Sequence, residues 1–247
     1  GWTSTMMLGL YGSFFDYRRI QPRIGYRWLG LEELGGVQHE GEFGLRDGEF
    51  VDAVLARLDA LPRPSLLHAT TMSGHIPWRQ WRNLAECAGP ALATAGTADD
   101  YARTLRYVDR HLDRLIAAFL ERRPGGLVVL FGDHSALIDT DGYTSPVGRR
   151  EGVQWEFVPL VILGQGVPAR IGTVAASQLD IQRTILLAAG WTGRIPSWGM
   201  DLLDPAAIPG PLPYHGRPQD RAEVAAWAAG LGRCDAPSVR PLPSSVP

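Results

Sequence analysis

The residues with the most telling chemistry in this sequence are Asp133 and His134, preceded by Gly132. They follow directly on Leu127–Phe131, an unbroken apolar run that predicts a strand buried on both faces, as in a parallel sheet. In open α/β sheets, ligands bind just beyond the carboxyl ends of such strands. A carboxylate next to an imidazole at that position forms a natural pair of ligands for a divalent metal. The alternative interpretation is that Asp133 caps a turn and His134 is a solvated loop residue.

A third candidate, His75, stands at the end of another predicted strand, residues 65–72, and is followed by Ile76 and Pro77. A histidine held in a turn at the carboxyl end of a strand can face the same crevice as Asp133 and His134. The alternative is a histidine in a surface loop.

Phe15 and Arg18 follow the first predicted strand, residues 5–10, after a turn at Gly12. Aromatic rings interleaved with arginines suit an anionic head group that carries an apolar or polyol part, because the guanidinium fork matches phosphate or sulfate. The alternative is that the phenylalanines belong to the core and the arginines are solvated.

The elements that must position these residues alternate along the chain. Apolar runs predict strands at residues 5–10, 65–72, 127–131 and 158–163, and helical spacing predicts helices at 47–61, 98–122 and 178–189. This alternation predicts an α/β fold with a mainly parallel central sheet and helices on both faces, in which Leu127–Phe131 is one of the central strands.

Composition limits the classes of function. The 247 residues suffice for one α/β domain, and the formal net charge of −2 gives no reason to expect nucleic-acid binding. We expect a domain over residues 1–204 and a Pro-rich extension over residues 205–247 whose end is disordered. Cys87 and Cys234 fit no metal-binding spacing, and the sequence leaves open whether they form a disulfide or remain free thiols. No apolar stretch reaches the length of a transmembrane helix.

Taken in order along the chain, these motifs resemble the sulfatase-like branch of the alkaline phosphatase superfamily, and most closely its lipoteichoic acid synthase and phosphoglycerol transferase group. The similarity extends from Gly1 to about Asp204. Its landmarks are Gly1-Trp2-Thr3 with Gly12-Ser13-Phe14-Phe15, then Thr70 to Trp78, Arg106-Tyr107-Val108-Asp109, Phe131-Gly132-Asp133-His134-Ser135, Val158 to Ile162, Ser177 to Ile181, and Gly199 to Leu203.

The resemblance implies roles for individual residues. Asp133 and His134 would hold a catalytic divalent metal, often Mn²⁺ in this group, with Zn²⁺ or Mg²⁺ in relatives. His75 would contact the substrate head group, and Phe15 would pack against a glycerol phosphate. The arginine of the family falls on Tyr17 here, so Arg18 replaces it only if the turn shifts by one residue.

The resemblance also implies an enzyme, a phosphoryl- or sulfuryl-ester transferase or hydrolase that forms a covalent intermediate on a threonine. That threonine and an acidic metal ligand lie upstream of Gly1 in the family, so we assign no catalytic nucleophile within this chain. We therefore expect weak metal binding and no turnover from the chain alone. The substrate would be an anionic ester, phosphoglycerol-type or linked to a lipid or glycan. The parent protein would be membrane-anchored outside the cytoplasm, in the periplasm or at the cell surface. The alternatives are a sulfatase or phosphodiesterase for soluble substrates, or a non-catalytic binding domain.

Overall fold

The computed structural model describes residues 1–78, 97–134, 147–150, 153–156, 158–169, 175–197, 199–207, 210–214 and 217–230. The described residues fall into two compact units, the first running from Gly1 to Gly126 and the second beginning at Leu127. Cys87, Cys234 and the predicted disordered end of the chain lie outside the described residues. In the part of the chain that is described, no helix combines the length and the apolar character needed to cross a membrane.

The first unit is built on a three-stranded parallel sheet. Strand β1 (Thr3–Leu8) lies between β2 (Tyr26–Leu29) and β3 (Ser65–Thr70). All three strands run in the same direction, with Leu8 opposite Thr70 at the end of the β1–β3 pair. The loops that follow β1 and β3 therefore leave the sheet at the same edge.

The helices of this unit follow the strands in alternation. A short 3₁₀ turn at Phe14–Asp16 leads into α1 (Tyr17–Arg23), and α2 (Leu31–Leu34) follows β2. The longer helices are α3 and α4, which span Asp47–Leu58 and Thr97–Arg122. An ion pair of 2.6 Å between Arg114 Nη1 and Asp52 Oδ1 joins α4 to α3.

Successive side chains of β1 point to opposite faces of the sheet, and a hydrophobic core covers each face. Met7 faces one core, which α3 and α4 complete, and Met6 and Leu8 face the other. The first core consists of Met7, Leu29, Leu31, Leu34, Leu45, Phe50, Val54, Leu58 and Leu61, with Leu115 and Phe119 packed against it. The second consists of Met6, Leu8, Leu10 and Trp28, with Phe14, Tyr17, Tyr26, Phe43 and Met72 packed against it.

The second unit contains three strand pairs, which are antiparallel in the described residues. Strand β4 (Leu127–Phe131) pairs with β7 (Leu160–Gly164), and two short hairpins join β5 to β6 and β8 to β9. Two helices, α5 and α6, complete the unit. The bounds are Val147–Arg150 for β5, Val153–Glu156 for β6, Leu212–Tyr214 for β8, Arg217–Gln219 for β9, Gln178–Ala188 for α5 and Arg221–Gly230 for α6.

The predicted α/β class with a parallel sheet is confirmed, but the prediction for Leu127–Phe131 is wrong in two respects. This strand pairs antiparallel, with Leu127 opposite Gly164, and the described residues give it a single partner strand. Its residues are half-buried. The central strand of the parallel sheet is β1. An unbroken apolar run predicts a strand but does not specify the direction of the strand that pairs with it. The predicted parallel pairing of Leu127–Phe131 was wrong for this reason.

Candidate active site

The turn after β1 depends on a glycine at position 12. The N–H group of Gly12 donates to both carboxylate oxygens of Glu32, at 3.2 and 3.1 Å. A Cβ at this position would lie 2.8 Å from the Cβ of Arg18, so any other residue would push the following helix away. The close approach of turn and helix therefore requires glycine.

The same turn holds Phe15 in an unusual conformation. Phe15 and Asp16 both adopt left-handed backbone angles, with φ of 46° and 58°. Residues other than glycine, asparagine and aspartate seldom do so, and such strain concentrates at functional positions. Phe15 is 73% exposed although its ring is fully apolar. The backbone thus presents an aromatic ring to solvent at the carboxyl edge of the sheet.

Arg18 is engaged by carboxylates. Its Nη2 lies 2.7 Å from Glu33 Oε1 and 3.2 Å from Glu32 Oε1, while about half of the side chain remains exposed. Two acidic partners offset its charge, so Arg18 attracts an anion less strongly than an unpaired arginine would. Tyr17 stacks on Trp28 with ring centroids 5.5 Å apart. Tyr17 therefore contributes to the packing of the sheet.

His75 stands in the loop after β3, at the same edge as Phe15. Its Nδ1 lies 2.7 Å from the carbonyl oxygen of Ile76. A carbonyl can only accept, so Nδ1 carries the proton and Nε2 is the ring nitrogen that can meet a ligand. The imidazole stacks on Phe43 with centroids 4.0 Å apart and an interplanar angle of 22°.

Phe43 links two of the three predicted substrate residues of this unit, His75 and Phe15. Its ring packs edge-on against Phe14 at 5.5 Å, and Phe14 in turn packs against Phe15 at 4.5 Å. His75, Phe43, Phe14 and Phe15 thus form a continuous aromatic row at the sheet edge. Sequence reasoning missed Phe43, because it lies in a glycine-rich loop with no helix or strand periodicity to mark it.

Asp47 is the second residue that sequence reasoning missed. It is completely buried at the start of α3, and its Oδ1 accepts hydrogen bonds from the backbone N–H groups of Met72 and Ser73, at 2.9 and 3.0 Å. Burial raises the pKa of this carboxyl to about 6, although the hydrogen bonds from Ser73 and Met72 act in the opposite direction. An aspartate in the first turn of a helix usually serves that helix, so its sequence position gave no signal of a tertiary role.

The second unit carries the predicted metal ligands. The N–H group of Gly132 donates to Pro159 O at 3.2 Å, and a Cβ on Gly132 would lie 2.8 Å from the Cβ of Val158. Gln178, the first residue of α5, donates from Nε2 to the carbonyl oxygens of Gly132 and Asp133, at 3.1 and 2.8 Å. The end of β4 is therefore held from two sides, by the residues that directly precede β7 and by the first residue of α5.

Asp133 and His134 lie close enough to share a ligand. His134 Nε2 is 3.6 Å from Asp133 Oδ2, and the two side chains are 60% and 77% exposed, in that order. One carboxylate and one imidazole suit Mn²⁺ or Zn²⁺ by their donor chemistry. The described residues contain no cluster of three or more candidate ligands, so this pair fits a cation but supplies only part of its coordination.

The structure thus brings Phe15, Arg18 and His75 to one sheet edge in the first unit, and Asp133 and His134 to one turn in the second. The expectation that His75 shares a crevice with Asp133 stays a prediction.

A family model described as Sulfatase matches residues 17–191. The chain belongs to the sulfatase family. It is also 27% identical over 206 residues to lipoteichoic acid synthase 1 of Bacillus subtilis, a match that covers 77% of this chain and 31% of that protein. The chain spans about a third of the length of the curated relatives it matches.

The fold of this sulfatase-family chain is similar to that of two solved structures. A lipoteichoic acid synthase from Listeria monocytogenes superposes with a TM-score of 0.66 at 15% identity, covering 82% of this chain and 53% of that one. A protein in the alkaline phosphatase superfamily from Vibrio parahaemolyticus gives a TM-score of 0.63 at 18% identity, covering 84% and 49%. The resemblance seen in the sequence motifs is therefore confirmed.

Proposed function

We propose that this chain is part of a metal-dependent enzyme that transfers or hydrolyses a phosphoryl or sulfuryl ester, with phosphoglycerol-type or lipid- or glycan-linked esters as substrates. The observation that carries the proposal is the Asp133–His134 pair, held by Gln178 at the end of β4 in a chain of the sulfatase family. The Bacillus subtilis relative is named for the synthesis of lipoteichoic acid, which supports a substrate linked to a lipid or glycan.

The first unit would bind the head group of the ester. His75 would donate or accept through Nε2, since Nδ1 is held by Ile76 O. Phe15 would cover the apolar or polyol part of the substrate with its exposed ring. Arg18 would add positive charge at the rim, moderated by Glu32 and Glu33. Each of these side chains would orient the substrate and take no covalent part.

Asp133 and His134 would hold the divalent cation, for which we propose Mn²⁺, with Zn²⁺ or Mg²⁺ as alternatives. Such a cation, when bound, polarises the ester oxygen and lowers the pKa of the attacking hydroxyl. We propose that the hydroxyl belongs to a threonine upstream of Gly1, which would attack the phosphorus or sulfur atom as the alcohol of the ester leaves. A polyol, a lipid-linked acceptor or water would then take the group from the threonine and regenerate its hydroxyl. An anchor in that upstream sequence would hold the enzyme at the outer face of a membrane.

Metal binding tests the role of the Asp133–His134 pair. We expect the protein to bind Mn²⁺ in isothermal titration calorimetry and Asp133→Ala to weaken this binding by about tenfold or more, because a charged ligand is lost. Asp59→Ala is the matched control, since Asp59 is similarly exposed, at 70%, and lies in the other unit. Equal Mn²⁺ affinity in Asp133→Ala and wild type would refute the assignment.

Turnover tests the reaction itself. With the sequence upstream of Gly1 present, we expect cleavage of a glycerophosphate diester or an aryl sulfate, abolished by Asp133→Ala. His75→Ala should raise KM by about tenfold, the value of one hydrogen bond to a charged group. A protein that binds these esters without turning them over would instead be a non-catalytic binding domain.

A further inference from the structure

The loop that carries His75 has no regular structure of its own, yet its position must be defined if His75 is to meet a substrate. It follows β3 directly and is half-exposed around His75, whereas Ser73 is completely buried. Two of the contacts that hold this loop come from the segment that ends at Asp47, at the start of α3.

The first contact fixes the backbone of the loop. Asp47 Oδ1 accepts from the N–H groups of Met72 and Ser73, and Ser73 returns the interaction by accepting the Asp47 N–H on its Oγ at 3.0 Å. Both side chains are completely buried, so water does not compete for these hydrogen bonds. The backbone two residues before His75 is thereby tied to the first turn of α3.

The second contact fixes the ring. Phe43 stacks on the imidazole of His75 at 4.0 Å, and Phe43 is itself supported by Phe14 at 5.5 Å. Stacking leaves the edge of the imidazole, and therefore Nε2, accessible while it restricts rotation about the side-chain torsions. The segment thus acts on both the backbone and the ring of His75.

The unpaired oxygen of Asp47 indicates that this side chain holds the loop through its hydrogen-bond acceptor and not through its negative charge. Oδ2 is buried and has no hydrogen-bond partner within the described residues, so the negative charge is poorly compensated there. The contacts to Met72 and Ser73 require only one acceptor oxygen, which an amide supplies equally well.

We propose that the segment from Phe43 to Asp47 is the positioning element for His75, with Asp47 acting as a hydrogen-bond acceptor for the loop backbone and Phe43 as a stacking partner for the imidazole. This inference rests on the proposed role of His75 in binding the ester head group. Asp47 and Phe43 are positioning residues that act through His75.

Nuclear magnetic resonance of the histidine side chains tests the positioning without any need for activity. The stacked Phe43 ring should shift the His75 imidazole ¹H signals upfield, with His75→Ala identifying the peak. We expect this shift to be lost in Asp47→Ala and retained in Asp47→Asn, which preserves the acceptor. Asp52→Ala, an exposed carboxylate on the same helix, is the control.

Kinetics of the intact protein test the consequence for the substrate. We expect Asp47→Ala to raise KM for the ester by about tenfold with a smaller change in kcat, and Asp47→Asn to restore KM. In a His75→Ala background, Asp47→Ala should raise KM little further, because both substitutions remove the same interaction with the ester. A purely structural role would give additive losses instead.

The outcomes separate the two hypotheses. Loss of the His75 shift in Asp47→Ala, in a protein that cleaves no ester even with the sequence upstream of Gly1 present, refutes the proposed function but supports the positioning. An unchanged shift in a folded Asp47→Ala, or an Asp47→Asn that behaves like Asp47→Ala, overturns the positioning. If Asp47→Ala does not fold, Phe43→Leu decides: a wild-type KM in that variant contradicts the proposal, and an increased KM supports it.

Discussion

At the scale of single residues, two groups near the carboxyl edge of the parallel sheet lower the free energy of unfolding. Phe15 combines a left-handed backbone with a ring that is 73% exposed, and Asp47 keeps a buried carboxylate with one oxygen unpaired in the described residues. Residues that destabilise a fold and lie together at one sheet edge are typical of a binding or catalytic site.

Phe15→Asn should separate the stability of the turn from its function. Asparagine tolerates the left-handed region better than phenylalanine, so we expect the free energy of unfolding to stay equal or rise by up to about 1 kcal/mol. The loss of the ring should raise KM for the ester. Denaturant unfolding and steady-state kinetics measure the two effects, and a clear loss of stability would mean that the Phe14–Phe15 contact is a packing contact first.

The raised pKa of Asp47 predicts a pH dependence of stability. The folded state binds this proton more tightly than the unfolded chain, with a pKa of about 6 against 3.8, so the contribution of Asp47 to stability falls as pH rises through that interval. Each unit of difference in pKa corresponds to about 1.4 kcal/mol, so the contribution of Asp47 to the free energy of unfolding falls by roughly 3 kcal/mol.

Comparison of wild type with Asp47→Asn isolates this effect from other carboxylates. We expect the difference in unfolding free energy, variant minus wild type, to increase by roughly 3 kcal/mol between pH 3.5 and pH 7.5, because the amide does not ionise. Asp52→Asn, at an exposed carboxylate of the same helix, is the control. A constant difference across this range would show that Asp47 ionises normally.

At the scale of elements, a buried ion pair ties α6 to α5 within the second unit. Arg221 donates to both carboxylate oxygens of Asp180, at 2.7 and 2.8 Å, and both side chains are almost fully buried. The remaining donors of Arg221 reach the carbonyl oxygens of Gly210 and Ala175. Asp180 also accepts from the N–H groups of Ser177 and Met200. The start of the Pro-rich extension is therefore joined to the helix whose first residue, Gln178, holds the Asp133 turn.

Arg221→Ala should destabilise the second unit strongly. Removal of one partner leaves the Asp180 carboxylate buried and short of its charge partner, which costs about 3 kcal/mol or more. Denaturant unfolding measures the loss, with Arg194→Ala as the control at an exposed arginine. We also expect weaker Mn²⁺ binding, because α5 supports the Asp133 turn. Unfolding of Arg221→Ala at the wild-type midpoint would show that the ion pair between Arg221 and Asp180 adds nothing to stability.

At the scale of the whole molecule, the chain spans about a third of the length of its curated relatives. We propose that the complete reaction needs residues of this chain together with residues upstream of Gly1. A metal held by Asp133 and His134 alone would have most of its coordination positions unfilled by the protein. A covalent mechanism also needs a nucleophile next to the metal.

We therefore expect these 247 residues alone to bind Mn²⁺ weakly and to show no esterase turnover. Addition of the upstream sequence should increase Mn²⁺ affinity and produce turnover, both measurable with the same calorimetry and ester assays. Hydrolysis by the 247 residues alone, abolished by Asp133→Ala, would show that the nucleophile lies within this chain.

The sequence alone was sufficient for the features that depend on local patterns. Short apolar runs identified β1, β3, β4 and β7, and helical spacing identified the longer helices, each to within a few residues. Both signals are local, because burial selects apolar residues in strands and imposes a period of 3.6 on helices. The position of Asp133 and His134 after an apolar run, and the order of motifs that indicated the family, are likewise properties of the linear chain.

Only the tertiary structure decided the features that depend on distant partners. The antiparallel direction of β4 follows from its pairing with a strand some thirty residues later, and Asp47 reaches a loop 26 residues away. Phe43 contacts His75 although 32 residues separate them in the chain, and Arg18 meets Glu33 across 15 residues. Such contacts leave no period in the sequence, because each depends on where the intervening chain folds. The sequence therefore predicted the main strands and helices and the candidate residues of the site, and the packing of those elements determined how these residues are held.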